Sequence, residues 1–136
     1  MKLYLDFTEP ALIELSAAGE SVRSYQGDEA AERFSRIVSE EIADLLERLA
    51  EEIAESVTGK PFDPLNAAAS VYWSQPVYRL VIETSARRAR RSGAGRWHAY
   101  YALQDVAGQG KPDTVKMLAI RHSASLPIGQ NDDGAG

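Results

Sequence analysis

Between Tyr78 and Ser125 the chain contains three short runs separated by turn-forming stretches: YRLVIET, RWHAYYALQD and TVKMLAIRHSAS. Successive strand residues point to opposite faces, so each run sorts into two sets. In the first, Tyr78, Leu80 and Ile82 oppose Arg79, Val81 and Glu83. In the second, Trp97, Ala99, Tyr101 and Leu103 oppose Arg96, His98, Tyr100 and Ala102. The third sets Val115, Met117, Ala119 and Arg121 against Lys116, Leu118, Ile120 and His122, and is apolar on both faces until its end. Three antiparallel strands joined by hairpins are expected, with one face on helices and the other open. Leu80, Ile82, Ala99, Tyr101, Leu103, Leu118 and Ile120 are placed on the helix-facing side. The open face would gather Arg79, Arg96, His98 and Arg121 or His122.

The N-terminal half supplies the helices. Lys2 to Phe7 alternates as a short strand. Thr8 can cap a following helix, and Glu9 and Pro10 suit its first turn. Ala11, Leu12 and Leu15 form its apolar side, and it is expected to end by Gly19 or to resume briefly from Ser21 to Tyr25. Asp28 is the expected N-cap of a second helix. From there Phe34, Ile37, Val38, Ile42, Leu45, Leu49, Ile53 and Val57 recur at helical spacing without Gly or Pro until Gly59. That helix would be about 45 Å long. Its outer face carries Glu40, Glu41, Asp44, Glu47, Glu51, Glu52 and Glu55 and reads as a solvated face. Lys60 to Pro76 reads as a connector, with one helical turn at Ala67 to Ser70 and with Tyr72 and Trp73 covering a sheet edge. Ser85 to Gly95 is a basic hairpin tip, Ala107 to Asp113 the second hairpin loop.

Together these elements predict one α+β domain over residues 1–126: an antiparallel sheet of about four strands with two helices packed on one face. Residues 127–136 read as a flexible tail. No apolar run reaches the ~20 residues of a membrane span, and the start lacks a signal-peptide core. Without cysteine there is no thiolate chemistry. A cytoplasmic protein with no membrane partner is expected.

Charge divides the chain. Residues 1–76 carry 6 Lys and Arg against 15 Asp and Glu, and residues 77–122 carry 9 against 3. An acidic helical half and a basic sheet half suit an anionic partner on the sheet side. The chain has two histidines, His98 and His122, both in cationic settings, so no zinc site and no cofactor are expected. Arg, His and Tyr on a sheet suit metal-independent cleavage of RNA. A base takes the 2′-hydroxyl proton, an acid protonates the leaving 5′-oxygen, and arginines stabilise charge on phosphorus. Tyr100 could stack on an unpaired base. Arg87, Arg88, Arg90 and Arg91 in the tip could bind backbone phosphate.

YLDFTEPALIEL, YRLVIET, RWHAYYALQD and VKMLAIRHSAS, in the order strand, helix, helix, three strands, resemble the RelE/ParE toxin superfamily of bacterial toxin–antitoxin modules. The resemblance covers nearly the whole chain through short, variable motifs. It implies a RelE-like endoribonuclease that cleaves mRNA on the ribosome and is bound by a cognate antitoxin. Arg79 matches a basic residue early in the second strand, but Val81 stands where a lysine is found. His98 takes the place of a key arginine beginning the third strand, with Arg96 two residues earlier. Arg121 and His122 match the basic end of the last strand, followed by Ser123 where an arginine is frequent. The catalytic candidates are thus Arg79, Arg96, His98 and His122. The RNA-binding candidates are Arg87, Arg88, Arg90, Arg91, Arg121 and Tyr100. These substitutions leave two alternatives: a ParE-like inhibitor of DNA gyrase, or a non-catalytic module of the same fold that binds nucleic acid or protein.

Overall fold

A computed structural model describes residues 2–55, 77–85 and 95–124. The elements are β1 (Tyr4–Phe7), α1 (Glu9–Gln26), α2 (Asp28–Glu55), β2 (Tyr78–Glu83), β3 (Arg96–Gln104) and β4 (Thr114–His122). Helix α1 starts where the sequence places it. The Thr8 hydroxyl accepts from Ala11 N at 3.2 Å and donates to the Leu118 carbonyl at 3.2 Å, so one side chain caps the helix and ties it to β4. The helix does not end at Gly19 but runs on to Gln26. A mid-helix glycine costs about 1 kcal/mol, and burial of Ala18 and Val22 on either side of it outweighs that penalty. Gly27 alone forms the corner to α2, at φ 96°, a conformation that side-chain-bearing residues rarely adopt. Its carbonyl accepts Ala31 N. Asp28 is therefore the first residue of α2 rather than its cap, and its carboxylate meets Arg23 at 3.2 Å.

The four strands form one sheet in the order β1-β4-β3-β2. The β2-β3-β4 meander is antiparallel, as expected, but β1 joins β4 in parallel. The sheet is thus mixed. Both helices lie on one face. Phe34, Val38, Ile42, Leu45, Leu49 and Ile53 of α2 share a core with Tyr78, Leu80, Ile82, Ala99, Tyr101, Val115, Met117 and Ile120. Of the expected apolar side of α1, Ala11 and Leu15 meet the core together with Ala18 and Val22, but Leu12 is 51% exposed.

Alternation fails in β4, for a local reason. Tyr101 opposes Met117 while Tyr100 opposes Ala119, so Leu118 is an extra residue and forms a β-bulge. Val115 and Met117 therefore face the helices before the bulge, and Ile120 faces them after it. Leu118, expected on the helix side, belongs to a second buried cluster with Val77, Tyr100, Ala102 and Ala119 on the opposite face. No helix among the described residues is long and apolar enough to cross a membrane.

Candidate functional site

The face of the sheet away from the helices has two parts. Near the β2 start and the middle of β3 it holds the second apolar cluster. Toward the β3 start it turns polar. His98 stands at the centre of this part, opposed by Val81 on β2 and by Arg121 on β4. Side chains at opposed positions of antiparallel strands have Cβ atoms ~5 Å apart. Arg79 opposes Tyr100, one diagonal step from His98, and Arg96 lies two residues before His98 on the same strand face. The pleat of β2 and β3 thus brings Arg79, Arg96 and His98 together, and β4 places Arg121 opposite His98 because the bulge reverses the phase of the strand.

Each cation has its own setting. Arg96 pairs with Glu83 across β2 and β3 at 3.5 Å, with about half of its side chain exposed. Glu83 also accepts Ser85 N at 3.2 Å. Arg79 is exposed and stays out of that pair. Arg121 is largely shielded, and its Nε donates to Glu14 Oε2 at 3.3 Å. The other oxygen of Glu14 accepts Ile120 N at 3.2 Å, so a carboxylate from α1 caps the part of the β4 edge that β1 does not reach. Partial burial of the His98 ring lowers its pKa below the ordinary 6.5, and the charges of Arg79, Arg96 and His122 push in the same direction. Both effects favour the neutral form of the ring, which lies edge-on to Tyr100 at 6.2 Å.

Two candidate residues fall outside this patch. His122 opposes Trp97 and sits on the helix side, its ring edge-on to the indole at 5.1 Å. There it lines a cavity of about 300 Å³ with Trp97, Arg33 and Thr84. His98 and His122 therefore do not converge, because adjacent opposed pairs of one ladder lie on opposite faces. Tyr100 is on the expected face but is 1% exposed within the second apolar cluster. Its ring is not offered for stacking on a base, which corrects the role expected for it. Arg87, Arg88, Arg90 and Arg91 lie outside the described residues, as do Tyr72, Trp73 and residues 125–136, which include the expected tail.

Sequence reasoning passed over Glu14. Its signal was present, since Glu14 falls on the stripe of α1 marked by Ala11, Ala18 and Val22, where an acid is out of place unless it has a partner. Comparison of the chain with known protein families, with curated proteins and with solved structures found no match.

Proposed function

We propose that the polar part of the far sheet face binds the phosphate backbone of RNA and that the protein is a RelE-like, metal-independent endoribonuclease acting on mRNA, held in check by a cognate antitoxin in the cytoplasm. One observation carries this reading. A histidine, His98, is flanked on the far sheet face by the exposed Arg79 and Arg96, and is opposed on β4 by Arg121, whose guanidinium is held by Glu14. The order strand, helix, helix, three strands supports it as well.

A phosphate resting on the patch meets guanidinium groups suited to its oxygens. The neutral imidazole takes the proton of a 2′-hydroxyl, whose oxygen then attacks phosphorus. The bond to the 5′-oxygen breaks, leaving a cyclic 2′,3′-phosphate and a free 5′-hydroxyl. With His122 on the other face, the leaving oxygen draws its proton from water or from the His98 imidazolium. Arginines stabilise the charge that builds on the phosphoryl oxygens.

The same placement of His122 favours a second reading, the non-catalytic one, in which the patch binds a nucleic acid or a protein and cleaves nothing. A ParE-like gyrase inhibitor belongs to this class. Induced expression with growth and mRNA integrity followed together separates the two. On the nuclease reading, growth arrest accompanies mRNA cleavage. His98→Ala then lowers cleavage by roughly 10²- to 10⁴-fold while the protein stays folded. Arrest with intact mRNA, unchanged in the double His98→Ala, His122→Ala variant, would reject the nuclease and leave the binding module.

A further inference from the structure

Strand β1 is the outer strand of the sheet, and among the described residues no strand pairs with its outer side. Its hydrogen-bonding phase is defined by the inner side. Tyr4 N donates to the Asp113 carbonyl and Thr8 N to the Met117 carbonyl. Even-numbered residues therefore turn their N–H and C=O toward β4. Leu3, Leu5 and Phe7 turn theirs outward, because backbone groups alternate along a strand. Tyr4 is 63% exposed and Leu5 38% exposed, while Lys2 and Asp6 are exposed as well. Edge strands of this kind pair with other chains unless something opposes it.

The segment from Lys2 to Asp6 reads KLYLD. About Tyr4 it is a palindrome in polarity, with a cation at one end and an anion at the other. We infer that β1 pairs antiparallel with β1 of a second copy, about a two-fold axis at Tyr4. This register is the one that satisfies both strands. Leu3 opposes Leu5 of the other copy, and these are residues whose backbone groups point outward, so they form hydrogen-bonded pairs. Tyr4 opposes Tyr4 in a non-hydrogen-bonded pair, where the side chains come closest. Lys2 opposes Asp6 in the next such pair, twice by symmetry. All four charged groups lie on the face away from the helices, where even-numbered residues point. Charges on an edge ordinarily deter pairing, but here each opposes its complement, so the same charges admit a second copy and reject an unmatched strand. The axis is perpendicular to the sheet, so the two helix layers share one side of a continuous eight-stranded sheet. Leu12 and Ile13 of α1, 51% and 61% exposed, belong to that layer. The contact is isologous and closes at two copies. It stands independently of the RNA reading, since it uses neither β2 nor β3.

The test is sedimentation equilibrium on the full chain across the micromolar range, with charge reversal at both positions. Asp6→Lys and Lys2→Glu each place like charges opposite one another and should weaken dimerisation by roughly tenfold or more. The double Lys2→Glu, Asp6→Lys variant restores opposite charges at both pairs and should recover the wild-type dissociation constant. Both residues are exposed, and circular dichroism is the check that each variant stays folded. A monomer at every concentration overturns the inference, as does a dimer indifferent to the single reversals or one that the double variant fails to recover.

Discussion

Replacing Glu14 tests how the helix layer holds the candidate site. Its two oxygens accept Ile120 N at 3.2 Å and Arg121 Nε at 3.3 Å. Ile120 is 2% exposed, so in Glu14→Ala its N–H loses a partner that water does not readily replace. An unpaired buried amide costs about 1–3 kcal/mol. Loss of the ion pair adds less. The Glu14 side chain is about a third exposed and that of Arg121 14%, and a pair so placed is worth about 1 kcal/mol after screening. The expected loss for Glu14→Ala is therefore about 2–4 kcal/mol, a large share of the ~5–15 kcal/mol that holds a domain folded. Glu14→Gln keeps an acceptor for Ile120 N and gives up the charge, so its loss should stay near 1 kcal/mol. Urea unfolding followed by tryptophan fluorescence measures both, provided the slope is unchanged. A cycle with Arg121→Met should return a coupling of ~0.5 kcal/mol or more. If Glu14→Ala lies within ~0.5 kcal/mol of wild type, the carboxylate is not holding the β4 edge.

Three further outcomes are expected. His98 has a folded pKa below its unfolded value near 6.5. The unfolded chain then takes up the proton first, so its contribution is fully present above pH ~6.5 and is lost as pH falls toward the folded pKa. His98→Asn should flatten the acid limb of a stability-versus-pH curve, and an unchanged limb would count against a depressed pKa. Phe34 is 2% exposed and meets the Trp97 ring edge-on at 5.3 Å, so Phe34→Ala should cost about 3–5 kcal/mol and shift the near-ultraviolet circular dichroism of the indole. Thr8→Ala removes both the α1 cap and the bond to the Leu118 carbonyl, and should cost about 1–2 kcal/mol by urea titration, whereas Thr8→Ser should recover most of it.

Much of this protein was legible in the chain itself. The 3.6-residue recurrence from Phe34 to Ile53 defined the buried stripe of α2, since a helix presents one face to a core wherever it lies. Alternation in YRLVIET and RWHAYYALQD put Arg79, Arg96 and His98 on one face and Leu80, Ile82, Ala99 and Tyr101 on the other, because the pleat is a property of the strand alone. Thr8 announced the start of α1 through its own hydroxyl. The remainder depended on partners remote in sequence. A run apolar on both faces, such as VKMLAI, carries no mark of its phase. Only pairing with β3 showed that Leu118 is the extra residue, and that choice sent Arg121 toward His98 and His122 toward Trp97. The parallel union of β1 with β4 likewise arises where the α1 start is tied to β4 by Thr8 and Glu14, contacts spanning more than 100 residues. Local periodicity decides which side chains share a face. Which face meets which, and which polar groups find each other there, is decided by long-range packing that no window of sequence contains.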